Sequence, residues 1–155
     1  MEKYLKRTQL VMSQVMMPNQ ANVAGNIHGG EIMKLMDSAA YAAARRYTKS
    51  NVVTARVDEL QFHLPIFVGE LVTCCATIAY VGKSSMEVAV TVEVEDLEMN
   101  NPPQIALSAY FTMVALNKKG RPAPVPELVL ETEEEKALFE EGKKRYESYK
   151  QKKRK

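Results

Sequence analysis

One segment of the chain combines residue types that can do chemistry: residues 22–30, NVAGNIHGG, followed within one predicted helix by Asp37. Two glycines at a helix start, Gly29 and Gly30, let a ligand approach the backbone closely, and free amides there can bind a developing negative charge. A carbonyl oxygen that becomes an oxyanion is one such charge. The segment therefore indicates a site for a carbonyl compound, and the same glycines also fit an ordinary helix start.

Asp37 is the acid best placed to act on such a carbonyl. It is the only acid of its helix after Glu31 and lies on the flank of the apolar stripe. A carboxylate bordered by apolar residues is partly desolvated, which tunes it as a general base. A solvated helix acid is the alternative. We expect His28 to shape the loop by hydrogen bonding rather than to transfer protons.

The motifs of several enzyme classes are missing. The chain contains no HExxH, CxxC, GxxxxGK[ST], GxSxG or GxGxxG. Zinc proteases, dithiol redox enzymes, P-loop proteins, serine hydrolases with a nucleophile elbow and dinucleotide-binding enzymes therefore lack their usual support. Since His28 and His63 are the only histidines, a multi-histidine metal site is not expected. We predict no metal and no cofactor.

The elements that must position these residues follow an α+β order. Apolar residues at three- and four-residue spacing predict a helix over 30–47. Alternating or continuous apolar runs predict strands over 9–16, 52–64, 71–81, 86–94 and 105–116. In the second strand Val53, Ala55 and Val57 are predicted to share one face, and the later apolar residues 60, 62 and 64 the other. This change near Asp58 and Glu59 predicts a bulge there. A last helix is predicted over 132–150, with Thr132 and Glu135 as a capping box. This order predicts an antiparallel sheet wrapped around one long helix.

Length and composition fit one domain in a reducing compartment. The 155 residues suit a single core, and no stretch approaches the ~18 apolar residues of a membrane helix. The start, MEKYLKRTQL, lacks the apolar centre of a secretory signal, so we expect a cytoplasmic protein. Adjacent Cys74 and Cys75 are expected to point to opposite faces of a strand, so we expect no disulfide between them.

The net charge of +2 is unevenly distributed along the chain. Residues 143–155 carry eight basic residues and one acidic residue, which leaves −5 on the rest. Basic tails of this kind bind nucleic acid or anionic membranes, and a solvated helix end is the simpler interpretation. We expect neither a nucleic-acid nor a membrane partner.

Four stretches, in order, resemble the hotdog-fold acyl-CoA thioesterases, most closely the cytosolic long-chain acyl-CoA hydrolases. They are NVAGNIHGGEIMKLMD, VVTARVDELQFHLPIFVGE, GKSSMEVAV and SAYFTMVALNKKGRPAPVP. The likeness covers residues 8–148. It implies a hotdog domain over 1–126, followed by a C-terminal helix and basic tail over 127–155.

The resemblance also implies roles for single residues. Asp37 matches the helix acid that activates water or attacks the thioester itself, and Asn22 matches the asparagine that holds the carbonyl or the water. Gly29 matches the amide donor at the helix start, and Thr54 matches a hydroxyl that positions the water. The hairpin over 82–85 offers amides, hydroxyls and a cation for the phosphates of coenzyme A, or is an ordinary turn. The residues expected to bind substrate are His28, Gly30, Arg56, Gly82, Lys83, Ser84 and Ser85.

The implied activity is hydrolysis of fatty acyl-CoA to a free fatty acid and coenzyme A. In the family the site forms between two subunits, so this single copy is expected to pair with itself, as a dimer within a trimer of dimers. Two alternatives stay open. A hotdog dehydratase needs a catalytic histidine facing a helix acid, and a non-catalytic sensor binds acyl-CoA without turning it over.

Overall fold

The computed structural model describes residues 8–154, with side chains up to residue 152. The first seven residues, part of the stretch expected not to be a secretory signal, and Lys155, the end of the basic tail, lie outside the described residues. No helix in this part of the chain is long and apolar enough to cross a membrane. The elements are β1 (Gln9–Val15), α1 (Gly29–Thr48), β2 (Asn51–Phe62), β3 (Leu71–Val81), β4 (Ser85–Glu95), β5 (Gln104–Leu116) and α2 (Glu133–Arg154).

The five strands form one antiparallel sheet in the order β1-β3-β4-β5-β2, which curves around α1. The predicted α+β arrangement is confirmed. The buried face of α1 recurs at three- and four-residue spacing and is mostly alanine, so the sheet can close tightly on the helix. Its buried residues are Ile32, Met36, Ala39, Ala40, Ala43, Ala44 and Thr48.

Alternation along β4 separates the two faces of the sheet. The valines at even positions of β4, such as Val88 and Val90, are buried in the core with α1. Glu87 points to the opposite face, where its carboxylate meets Arg145 of α2. α2 therefore covers the outer face of the sheet, and α1 fills the inner one.

The edge strand β2 is bulged twice. Its pairing with β5 shifts between Asp58 and Gln61, where Glu59 has a φ of 52°, so the predicted bulge is confirmed. A second shift, between Thr54 and Arg56, was not visible in the sequence. Because the bulge at residue 55 reverses the alternation, residues 53 and 57 lie on opposite faces. The predicted common face of 53, 55 and 57 is therefore wrong.

α2 begins as predicted. The amide of Glu135 donates to Thr132 Oγ1, and Glu135 Oε1 accepts from the amide of Thr132, both at 3.0 Å, which is the predicted capping box. The simpler interpretation of the tail as solvated is wrong for Arg145. Its side chain is 14% exposed because it forms a two-pronged ion pair with Glu87, with N–O distances of 2.6 to 3.0 Å.

The two cysteines point to opposite faces of β3, as predicted. Cys74 is buried in the core and Cys75 is partly exposed, and both thiols are free. Burial, with a smaller contribution from Cys75, raises the pKa of the Cys74 thiol to about 12. Cys74 is therefore a protonated core residue at neutral pH.

Candidate functional site

Asp37 and Thr54 meet between the central helix and the edge strand. Thr54 Oγ1 donates to Asp37 Oδ1 at 2.6 Å and lies 3.4 Å from the sulfur of buried Met113. The carboxylate is half-buried on the flank of α1, beside the alanine face. The hydrogen bond fixes one carboxylate oxygen, so the geometry presents an oriented acid of the kind that activates water or attacks a carbonyl.

The loop before α1 fixes the side chain of Asn22. Its Oδ1 accepts hydrogen bonds from the amides of Ala24 at 2.9 Å and Asn26 at 3.2 Å. The oxygen is thereby engaged inside the loop, and the side-chain NH₂ is left as the donating end. Asn22 is thus built to donate a hydrogen bond rather than to accept one.

Asn22 and Gly29 line one pocket of about 320 Å³ at the start of α1. The ring of Phe62, itself 60% exposed, lies 3.5 Å from the point where a Cβ on Gly29 would stand. His63 also lines the pocket, and its Nε2 is 3.3 Å from Ser108 Oγ. Because the amides of the first helical residues have no partner within the helix, this pocket offers donors to a carbonyl oxygen.

The two halves of the predicted site are apart in one chain. Gly29 and Asp37 are eight residues apart on the same helix, which corresponds to about 12 Å along its axis. Asn22 and Gly29 share the pocket, and Asp37 and Thr54 share a hydrogen bond. A carbonyl held at Gly29 is therefore out of reach of the Asp37 of the same chain.

His28 and Gly30 flank the pocket without lining it. The amide of His28 donates to Gln20 O at 2.9 Å, and its carbonyl accepts from the amides of Glu31 and Ile32. The His28 side chain makes no capping hydrogen bond, so its backbone rather than its ring shapes the loop. Gly30 is exposed, with open space where a side chain would begin.

Arg56 and the 82–85 hairpin lie elsewhere. Arg56 forms an ion pair with Asp58, with Nε 2.8 Å from Oδ2, and its guanidinium stacks 3.6 Å from the ring centre of Tyr149. The hairpin closes by a hydrogen bond from Gly82 N to Ser85 O. The carbonyls of Lys83 and Ser84 accept from the amides of Val125 and Ala115. None of the four hairpin residues lines the pocket at Gly29, and their binding of substrate stays a prediction.

Sequence reasoning assigned no role in the site to three residues that lie near it: Phe62, His63 and Met113. Phe62 and His63 line the pocket because β2 ends beside the start of α1, and the bulged pairing of β2 with β5 determines where that end lies. Among the described residues, no group of three or more His, Cys, Asp or Glu side chains is arranged to hold a metal ion.

Comparison with known proteins identifies the family. The family model described as Thioesterase superfamily matches residues 24–99. The cytosolic acyl coenzyme A thioester hydrolase of Rattus norvegicus is 45% identical over 130 residues, which are 83% of this chain and 34% of the rat protein. Protein VdlD of Helicobacter pylori is 41% identical over 141 residues, which are 91% of this chain and 80% of VdlD. The chain spans about a third of the length of the mammalian relatives it matches.

Solved structures of thioesterases share the whole fold. An apo-hexameric acyl-CoA thioesterase superposes with a TM-score of 0.88 at 32% identity, covering 94% of this chain and 93% of its own. An acyl-CoA hydrolase of Staphylococcus aureus, solved with butyryl coenzyme A and coenzyme A, gives 0.86 at 31% identity, covering 95% and 89%. The same S. aureus enzyme was also solved with an asparagine, a threonine or an aspartate replaced by alanine.

Proposed function

The chain belongs to the thioesterase superfamily, and from that premise we propose that it hydrolyses fatty acyl-CoA to a free fatty acid and coenzyme A. The observation that carries the proposal is the 2.6 Å hydrogen bond from Thr54 to Asp37, which orients a carboxylate on the central helix. Support comes from the S. aureus variants. Their replaced asparagine, aspartate and threonine are spaced 15 and 17 residues apart, as are Asn22, Asp37 and Thr54 here.

The reaction needs a nucleophile and a place for negative charge. Asp37 takes a proton from water while the water oxygen attacks the thioester carbon, or the carboxylate attacks that carbon itself. On either route the C–S bond then breaks, and the coenzyme A thiolate leaves and takes up a proton. Where the carboxylate is the nucleophile, the acyl group is left joined to Asp37 as an anhydride, which water hydrolyses to the free fatty acid and the original carboxylate. Thr54 holds the carboxylate in position throughout. Because Asp37 supplies the base or the nucleophile, the proposed reaction requires neither a serine nucleophile nor a metal.

The pocket at the α1 start supplies the stabilising donors. The amide of Gly29 and the NH₂ of Asn22 donate to the carbonyl oxygen as it gains charge, or Asn22 holds the attacking water. Helix-start amides are preorganised for this because their direction is fixed before the substrate arrives. Removing one such donor typically costs on the order of 10²-fold in rate.

A complete site requires a second copy of the chain. The ~12 Å between Gly29 and Asp37 prevents one chain from using both on the same carbonyl. β2 is an edge strand that carries Thr54 and exposes Val53, Leu60 and Phe62, so a second β2 can pair with it and bury these side chains. In the resulting dimer the pocket of one protomer faces the Asp37 of its partner.

Three further features belong to the same proposal. The dimers assemble as a trimer of dimers, which is supported by similar thioesterases that are hexameric. The enzyme works in the cytoplasm, which is supported by the cytosolic mammalian relatives. It uses no cofactor, because its own carboxylate and amides account for each step.

The dehydratase alternative finds less support in the geometry. A dehydratase requires a histidine facing the helix acid, and the group that contacts Asp37 is the Thr54 hydroxyl. His63 is the histidine in the pocket, and its Nε2 is within 3.3 Å of Ser108. In the proposed dimer His63 lies on the side of the partner's Asp37, but its Nε2 is engaged with Ser108, so hydrolysis fits these residues better than proton shuttling between a histidine and an acid.

The test is thiol release from acyl-CoAs of short to long chain by the wild type and by Asp37→Ala. We expect the wild type to hydrolyse part of the panel. The variant should lose about 10²-fold or more in kcat, which corresponds to an increase of roughly 2.7 kcal/mol in the activation free energy. Circular dichroism shows whether the variant is folded. Full activity in a folded variant would remove Asp37 from the mechanism. A wild type that binds acyl-CoA without turnover would favour the sensor.

A further inference from the structure

We propose that α2 is a strap that fixes the edge strand β2 from the outer face, and that its residue Tyr149 is a positioning residue for Thr54. The inference rests on the proposed thioesterase function. It starts from the unusual position of Arg56. Arg56 lies two residues beyond Thr54, yet it contacts the other helix of the molecule.

The bulge at residue 55 is the reason. In a regular strand, residues two apart share a face. Here Thr54 pairs with buried Met113 and bonds Asp37 of α1, so it faces inward. Arg56 pairs with Thr112 and stacks on Tyr149 of α2, so it faces outward. The strand is therefore contacted by α1 through Thr54 just before the bulge and by α2 through Arg56 just after it.

α2 follows a single row of side chains across four strands. The row runs from Tyr80 on β3 through Glu87 on β4 and Thr112 on β5 to Arg56 on β2, each paired with the next across the sheet. Along α2, Phe139 and Tyr146 contact the ring of Tyr80, Arg145 binds Glu87, and Tyr149 covers Arg56.

The last of these contacts is the one that reaches β2. Residues 56–58 lie between the two bulges, where ladder pairing with β5 is interrupted on both sides. Burial, together with the charge of Asp58 and a hydrogen bond to it, raises the pKa of Tyr149 to about 12, so the ring and its hydroxyl stay neutral beside Arg56 and Asp58. The ring of Tyr149 thus covers the guanidinium of the Arg56–Asp58 pair on the outer face of β2.

The experiment compares Tyr149→Ala with Phe139→Ala. Both remove a partly buried ring from the outer contacts of α2, but Phe139 contacts β3 and Tyr149 contacts β2. We expect Tyr149→Ala to lower kcat about tenfold with KM within twofold, because a small misplacement of an orienting hydroxyl is costly. Phe139→Ala should keep kcat within twofold. Tyr149→Phe, which retains the ring over Arg56, should restore most of the loss.

Hydrogen exchange of the same variants supplies a second readout that does not depend on activity. Tyr149→Ala should speed amide exchange in peptides covering 51–62, and Phe139→Ala should do so in peptides covering 71–81. Two results would overturn the proposal. One is a loss of kcat that is equal in the two variants and follows their loss of Tm, and the other is unchanged amide exchange in β2 of the Tyr149→Ala variant. A wild type without hydrolysis would refute the proposed function, and the exchange pattern would still decide whether α2 holds β2.

Discussion

The two helices pack against opposite faces of the same sheet by different kinds of contact. α1 meets the inner face through small apolar side chains, such as Ala39 and Ala43, that are fully buried. α2 meets the outer face through an ion pair and rings, with Arg145 bound to Glu87 and lying 3.7 Å from the ring centre of Tyr110. Burial raises the pKa of Glu87, partly offset by Arg145, so this carboxylate depends on its partner to remain ionised.

This difference separates two tasks. The inner contacts are non-directional, so the alanine face lets the sheet close on α1 and leaves its flank to Asp37. The outer contacts are directional, and each fixes one strand at one place. The proposed reactive groups, half-buried Asp37 and exposed Thr54, therefore lie at the flank of an apolar, densely packed helix face, and we infer that the orientation of the edge strand that carries Thr54 is set from the other face.

The largest effect is expected from separating the two halves of the inner site. Asp37→Ala and Asn22→Asp should each lose about 10²-fold or more in kcat, since one lacks the acid and the other the NH₂ donor. Aspartate at position 22 retains the oxygen that accepts from the loop amides. Co-expressed in equal amounts, the variants should regain about a quarter of wild-type activity. With random pairing, about half of the sites receive an intact Asn22 from one protomer, and about half of those receive an intact Asp37 from the other.

Two controls make the mixing experiment decisive. Each variant co-expressed with itself should stay at its own low activity, and size-exclusion chromatography should show the same assembly for all samples. If the mixture is no more active than the separate variants, each site is contained within one chain and the shared dimer site is wrong.

On the outer face, the largest expected effect is on stability rather than on chemistry. Glu87→Ala leaves the Arg145 charge buried without its carboxylate, which should lower the free energy of unfolding by about 3 kcal/mol. Glu93→Ala is the matched control, since Glu93 lies on the same strand and face but is exposed. It should change stability by no more than about 0.5 kcal/mol in urea unfolding. Equal effects of the two substitutions would show that the buried pair contributes nothing particular.

The sequence predicted the inner half of the molecule better than the outer half. The three- and four-residue spacing of α1 and the alternation of β4 follow from burial against one core, so the sheet around one helix could be predicted. The position of Asp37 on the helix flank also follows from spacing. The bulge at residue 55 could not be predicted, because it depends on pairing with β5. The burial of Glu87 could not be predicted either, since a glutamate in an alternating strand is typical of a solvated face until α2 covers it.

The smallest effect, and the sharpest contrast between the helices, is expected from the same substitution made on each. A Cβ on Gly142 of α2 would stand 2.6 Å from Tyr80 Cβ and 3.1 Å from Glu87 Oε1, so Gly142→Ala must push α2 off the sheet. We expect it to destabilise by about 1 to 2 kcal/mol, because overpacking exceeds the gain in helix propensity. On α1, Gly30→Ala meets no atom within 4 Å and should stabilise by about 0.5 kcal/mol. Thermal unfolding of both variants measures the difference, and a stabilising Gly142→Ala would show that α2 does not require this close approach.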